Sequence, residues 1–502
     1  MTSVRKKHNR QDHMMWNRLF KLSRERQVSY QRQLREVIVS AILDEKLPLE
    51  IPLPSSRELA KHLGVARNTV VLAYQQLIDE GYLVSRERSG YYIDKTMLSG
   101  RVKIKPVIHP DHAVQPDWNH HIKFRPSRQR NIVKPVDWKK YQYPFLFGQL
   151  DPALFPIADW RDCCRQALSV SDILDVTPDR IDTDDPLLIE QIQARILPRR
   201  GVWASRDEIL ITMGAQQSLY ILADLLINRD SRIGIENPGY ADARNIFSLK
   251  SPSVVPLDVD ENGVVPGKIV NSCEFVYLTP SHQSPTTVTM PIERREQLLK
   301  DARAHDFLII EDDYESEINF VSEPTPALKS LDSDNRVIYV GSLSKTLAPG
   351  LRIGYMVGSP ALIEEARALR RLMVRHPPAN NQRLVALFLS MGHHDSLIHR
   401  LSRTYQERWE TMGDALNRYL PESTRIPSFG GTSYWVKGPR QLDSRELKNN
   451  AAKKSILIES GEICFMQPGP PQNFFRLGYS SIAAEKIEPG IKKLADLIHT
   501  MI

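Results

Sequence analysis

The sequence predicts a chain of two unlike parts. A small α+β head of three helices and a hairpin comes first. A large α/β body on a mostly parallel sheet follows. Three observations carry this. Residues 1–105 hold 20 Lys and Arg against 11 Asp and Glu, whereas the remainder holds 47 against 49. Apolar residues recur at helical spacing from Leu34 to Ile78 and then alternate through Ile93. Beyond residue 205, continuous Ile/Val-rich runs interleave with longer helical stretches. At 502 residues the chain exceeds one ordinary core, because domains run to roughly 100–200 residues.

Composition narrows the class. With 41% apolar and 25% charged residues, fibrous and disordered chains are excluded. No apolar run approaches the roughly 20 residues of a membrane span. The stretch Met1–Arg10 is basic, with no apolar segment behind it. Neither a membrane partner nor a secretory signal is expected. Cys163, Cys164, Cys273 and Cys464 form no CxxC pair and no Cys/His zinc spacing. A reducing, cytoplasmic location and no bound metal are expected. The basic excess of the first fifth points to a polyanion, set against the plainer reading of a solvated tail.

In the head, Leu34, Val37, Ile38, Ala41 and Ile42 form one stripe of a helix over YQRQLREVIVSAIL. Three prolines between residues 47 and 54 break the pattern. Ser55 and Glu58 form a capping box at the start of a second helix, with Leu59, Ala60 and Leu63 inward and Gly64 as its stop. A third helix follows a short turn, with Val65, Thr69 or Val70, Ala73, Leu77 and Ile78 inward and Arg67, Asn68 and Thr69 at its start. Residues 81–93 alternate around a turn at Ser89-Gly90. This is winged helix-turn-helix order, in which the third helix presents its N-terminal side chains to base edges in the major groove. Ser55, Arg57, Arg86, Arg88 and Gly90 fall where phosphates or the minor groove would lie. The expected partner is a double-stranded DNA operator.

Residues 96–144 carry several prolines and no sustained periodicity and are read as an extended connector with a partly docked end. Its histidines, His109, His112, His120 and His121, have no metal-site spacing. Compact structure resumes near Phe147-Gly148.

In the body, the runs EILITM, RIGIE, FVYLTP, FLIIEDDY and RVIYVGS read as strands buried on both faces. Ligand chemistry in such sheets gathers at the strands' carboxyl ends. Lys345 follows RVIYV between Ser342, Ser344 and Thr346 and ahead of Arg352, a setting for a Schiff base beside a phosphate. Asp312 ends FLIIEDDY and suits a pyridine nitrogen, with Tyr314 pointing the same way. Gly214, Ala215 and Gln216 open a helix whose N–H groups form a phosphate cradle. Tyr240 and Ser284 edge the same pocket. Five strand ends converge on one phosphorylated aromatic aldehyde.

The run LPSSRELAKHLGVARNTVVLAYQQLIDEGYLVSRERSGYYI resembles the GntR-type winged helix, except that Ala66 stands where that family usually has Ser. The body resembles fold-type-I pyridoxal 5′-phosphate (PLP) aminotransferases, and the whole order resembles the MocR/GabR regulators. The resemblance implies a three-layer PLP-dependent transferase-like domain, ending in a small C-terminal α+β subdomain, with the cofactor held as a Schiff base on Lys345. Residues matching Asp312, Tyr314, Tyr240 and Arg352 contact the cofactor, and Arg476 takes an effector carboxylate. It also implies a homodimer. The boundaries read are 28–95 for the winged helix, 96–144 for the connector and 145–502 for the body, with the small subdomain at about 390–502. Three departures fall on the substrate side. Asp182 to Pro186 lacks the family's Tyr and Gly, Thr287 replaces a Gly, and Asp242 stands where a GabR-like arginine would be. The expected function is a PLP-dependent transcriptional regulator sensing a small amine or amino-acid effector. The alternative is an active transaminase with an accessory DNA-binding head. A third reading makes PLP itself the signal. Cys163 and Cys164 are read as helix packing rather than a redox pair.

Overall fold

The computed structural model describes residues 20, 22–23, 27–98, 116–315, 317–320, 325–421, 423 and 430–502. These fall into two compact units, one ending at His121 and the other beginning at Ile122. His109 and His112 lie outside the described residues.

The first unit holds helices α1 (Tyr30–Leu43), α2 (Ser56–Leu63) and α3 (Arg67–Asp79) and the antiparallel strands β1 (Leu83–Arg86) and β2 (Gly90–Ile93). Leu34, Ile38, Ile42, Leu59, Val70, Ala73, Leu77, Leu83 and Ile93 form its core, so the helical stripes and the wing meet as their spacing requires. The capping box on α2 is present in both directions, and Gly64 ends the helix at φ +65°. Two details differ from the sequence reading. The hairpin turns at Glu87-Arg88 rather than Ser89-Gly90. Ser89 N–H donates to Arg86 O at 3.0 Å, Arg88 takes φ +59°, and Gly90 already pairs with Arg86. Tyr74, not assigned inward, is fully buried because its hydroxyl donates to Pro54 O at 2.9 Å.

The second unit is a three-layer body. Its eight-stranded sheet runs β4 (Ile209–Thr212), β11 (Gly354–Val357), β10 (Val337–Ser342), β9 (Leu308–Asp313), β8 (Phe275–Leu278), β5 (Ile233–Asn237), β6 (Val254–Asp260) and β7 (Gly263–Val264). The pairs β10–β9, β9–β8, β8–β5 and β5–β6 are parallel, and β11 runs antiparallel to both β10 and β4. The carboxyl ends of β4, β5, β8, β9 and β10 therefore share one edge. Alternate residues enter opposite cores: Ile209 and Ile211 join one cluster and Leu210 the other. Burial on both faces is why these strands read as unbroken apolar runs. Around the sheet lie helices that include α4 (Ile157–Ala167), α5 (Val170–Val176), α6 (Pro186–Gln191), α7 (Ala215–Leu226) and α8 (Pro360–Val374).

Toward the C-terminus, β12 (Ser433–Lys437), β15 (Phe474–Gly478) and β14 (Glu459–Ser460) form an antiparallel sheet. A short parallel pair joins β3 (Tyr143–Pro144) to β13 (Ile456–Leu457). Among the described residues no helix is long and apolar enough to cross a membrane, and no His, Cys, Asp and Glu group could hold a metal ion. Cys163 and Cys164 sit in α4 as free thiols.

At the start of α3, Ala66 offers no side-chain cap. Ala66→Ser restores an acceptor for the first-turn N–H groups, worth about 1 kcal/mol. Hydrogen exchange of the α3 amides in the full chain is expected to slow accordingly.

Candidate functional site

The five strand ends open on one cleft of about 130 Å³. Ala215, Gln216, Tyr240, Ser284, Asp312, Tyr314, Ser342, Ser344, Lys345 and Arg352 line it, together with Phe147, Tyr277 and Pro349. Gly214 supports the same wall. It takes φ +82° at the start of α7, and a Cβ there would stand 3.0 Å from the Arg352 guanidinium. Arg352 Nη2 donates to Met213 O at 2.9 Å, so the guanidinium lies across the turn that opens α7. No side chain caps the first turn of that helix, which leaves its N–H groups and dipole directed at the cleft.

Lys345 follows β10 and is half-buried in the cleft. Its Nζ lies 4.5 Å from the Phe147 ring centroid. A Cβ on Gly148, which has φ +64°, would come within 2.6 Å of that nitrogen. Burial pushes the Lys345 amine down to about 8, with the Lys134 charge acting in the same direction.

The two acids at the end of β9 have separate environments. Asp313 accepts from Arg200 Nε and from the Tyr339 hydroxyl, each at 2.8 Å. Asp312 faces the cleft and accepts only from the Tyr277 hydroxyl on Oδ2, at 2.7 Å, while its Oδ1 is buried with no partner among the described residues. Burial pushes the Asp312 carboxyl up to about 6. A cationic partner at Oδ1 would reverse that penalty.

Arg476 on β15 is placed against the cleft rather than in its lining. Its guanidinium stands 3.9 Å from the Phe147 centroid and bonds to Glu459 at 2.8 and 2.5 Å. A ligand carboxylate at Arg476 meets a resident acid. Asp242 accepts from the Tyr240 hydroxyl at 3.2 Å. The altered 182–186 segment has structural work: Asp184 accepts from Arg367 and Arg370, and Asp185 caps α6. Thr287 takes φ +64°, a left-handed conformation that a β-branched residue rarely adopts.

Sequence reasoning did not assign Phe147, Tyr277, Glu315, Lys134 or Glu459. Phe147 stood only as the place where compact structure resumes. Tyr277 sits inside an apolar run, and nothing in its spacing separates it from core. On the head, Ser55, Arg57, Arg67, Asn68, Arg86, Arg88 and Gly90 are exposed and Thr69 is half-buried. Arg86 lies 4.4 Å over the Tyr92 ring.

Residues 30–93 match the model "Bacterial regulatory proteins, gntR family", and residues 180–494 match "Aminotransferase class I and II". The HTH-type transcriptional regulator TauR of Rhodobacter capsulatus is 41% identical over 93% of this chain and 96% of its own. The chain belongs to the GntR-type regulators that carry an aminotransferase class I and II domain. The probable rhizopine catabolism regulatory protein MocR of Rhizobium meliloti is 30% identical over 94% of both chains. Among solved structures, LysN of Thermus thermophilus, an α-aminoadipate aminotransferase complexed with N-(5′-phosphopyridoxyl)-L-leucine, superposes with a TM-score of 0.69 at 26% identity. That match covers 77% of this chain and 99% of LysN. The Pyrococcus horikoshii kynurenine aminotransferase gives 0.68 at 27% identity, covering 76% and 98%. The chain is thus a helix-turn-helix transcriptional regulator whose body has the aminotransferase fold, and that fold implies PLP.

The cleft of this regulator fits PLP on its own geometry. It has a nucleophilic amine of depressed basicity, a buried acid oxygen lacking a partner, and an uncapped helix start beside an arginine. In Gly148→Ala the added methyl collides with Lys345 Nζ at a backbone conformation that favours glycine. Moving the tip of Lys345 aside is expected to slow borohydride trapping of PLP. Gly350→Ala, which meets nothing within 4 Å, is expected to trap normally.

Proposed function

We propose that this regulator binds PLP covalently at Lys345 and reads a small amine or amino-acid effector there, altering how its winged helices hold operator DNA. The observation that carries the reading is Lys345 Nζ in a largely buried cleft that also holds Asp312 with its orphaned Oδ1. PLP supplies an aldehyde that condenses with a primary amine and a pyridine ring that serves as an electron sink. The chain supplies the rest. Backbone N–H groups of Gly214 to Gln216, with Ser342, Ser344 and Arg352, would hold the phosphate. Asp312 would hold the protonated ring nitrogen, Tyr314 the ring hydroxyl, and Tyr240 and Ser284 the ring's face and edge. Lys345 would attack as the neutral amine, because only that form carries a lone pair. Arg476 would meet the effector's acid.

On the head, Arg67, Asn68 and Thr69 would meet base edges, and Ser55, Arg57, Arg86, Arg88 and Gly90 the backbone or minor groove. A homodimer fits the apolar surface of the body. Ile157, Leu168, Val170, Leu174 and Trp203 are 61, 67, 77, 66 and 79% exposed, apolar side chains that a partner copy would cover. A cytoplasmic location follows from a DNA partner.

The decisive experiment adds PLP and candidate amines to the purified chain and follows both cofactor absorbance and operator binding. A spectral change that alters the DNA footprint without steady keto-acid production supports sensing. Steady transamination supports an enzyme, and no spectral change on adding PLP removes the reading. Two outcomes follow from the charges. With the amine held at about 8, its neutral fraction rises about tenfold per pH unit below that value and levels off above it. PLP capture rates measured between pH 6 and 10 are expected to trace this curve. Operator binding is expected to weaken with salt, and Arg57→Ala to flatten the log–log slope by about one.

A further inference from the structure

Lys134 lies near the start of the second unit, ahead of β3, and approaches the cleft. The strap before it is tied to the body. Gln129 Nε2 donates to Asn245 O at 3.1 Å, Arg130 Nη2 to Phe465 O at 2.8 Å, and Asn245 Nδ2 to Asn131 Oδ1 at 2.7 Å. At its end, Lys134 Nζ donates to Phe147 O and lies 3.2 Å from Glu459 Oε1. The other oxygen of Glu459 holds Arg476. One acid, 4% exposed, is therefore shared by two cations that come from different segments.

Both cations also stand around the ring that Lys345 faces. The Phe147 centroid lies 3.9 Å from Arg476 Cζ, 4.5 Å from Lys345 Nζ and 5.5 Å from Lys134 Nζ. The point above Gly148 that a Cβ would occupy is 2.6 Å from Lys345 Nζ and 3.7 Å from Lys134 Nζ. A charged strap residue thus sits beside the reactive amine and beside the arginine that would take a ligand's acid.

We propose that Lys134 is a positioning residue of the cleft, sharing Glu459 with Arg476 so that an anionic ligand group at Arg476 leaves Glu459 to Lys134 alone and tightens the 129–134 strap. Two cations compete for one buried carboxylate, and withdrawing one strengthens the hold on the other. The strap leads by chain continuity toward the DNA-binding head, so occupancy of the cleft gains a covalent route out of it. This rests on the cofactor-and-effector reading above for its purpose, but not for its geometry.

The test is hydrogen exchange of the 129–136 peptide in the full chain without cofactor, in two variants with opposite expected signs. Glu459→Gln removes the shared acid, and exchange is expected to speed severalfold. Arg476→Met leaves Glu459 to Lys134, and exchange is expected to slow. Faster exchange in both variants, or no change in either, overturns the proposal. A second readout does not depend on that peptide. The charged groups around Lys345 are Lys134, Arg476, Glu459, Glu315 and Asp312. Lys134→Met removes one cation and is expected to raise the pH midpoint of PLP capture by about half a unit, and Lys134→Arg to restore it. An unmoved midpoint in Lys134→Met overturns the role of Lys134. Absence of trapped PLP in the unaltered chain at every pH sinks the cofactor reading instead and leaves the exchange result standing.

Discussion

The body is arranged around one half-buried amine that no acid fully neutralises. Lys345 shares its surroundings with Lys134 and Arg476, and burial works against its charge. The nearby carboxylates are only partly available: Glu459 is held by Arg476 and Lys134, and Glu315 accepts from the Thr432 hydroxyl on Oε1 while its Oε2 is buried without a hydrogen-bond partner among the described residues. A lysine so placed is costly as a cation and reactive as a base. Phe147 makes this possible. Its ring face offers three cations a weak electrostatic partner and carries no charge of its own. Gly148 beside it leaves room for the nitrogen.

The sheet converts that local chemistry into a site. Five strands in one direction bring their ends to one edge, and each end contributes a side chain or a helix start. β11 runs the other way and so contributes no carboxyl end. Its Gly354 instead packs against the backbone of Gly214 and Ala215 so closely that a Cβ would lie 2.8 Å away. That contact seats the phosphate-directed turn on the sheet.

Much of this was legible in the sequence. Strands buried on both faces announce themselves as unbroken runs, so EILITM, RIGIE, FVYLTP, FLIIEDDY and RVIYVGS were found, and with them the residues just past their ends. The head was legible because its helices carry caps and stripes. The parts that were missed share a cause. Lys134, Phe147 and Glu459 come together from segments separated by up to 325 positions, and no local pattern encodes a salt bridge across that distance. Tyr74 and Tyr277 are buried tyrosines whose hydroxyls are satisfied by distant partners, and a single sequence does not show those partners. The wing turn is misread from the sequence because Gly90 looks like a turn residue; it does take φ +113°, but it already pairs with Arg86, and Arg88 at φ +59° sits in the turn itself. The departure at Thr287 was legible, and the structure gives it meaning: the backbone still adopts the glycine conformation, and a threonine bears it.

The pleat of β9 has a consequence for how this family tolerates change. Neighbouring acids point to opposite faces, so Asp313 is locked to Arg200 and Tyr339 while Asp312 remains available. A substitution touches one acid, but deleting or inserting a single residue within that strand would exchange their surroundings. The carboxylate offered to the cleft would then be the wrong neighbour's, and the salt bridge beneath the sheet would open in the same stroke. Length in those six residues is under tighter constraint than identity.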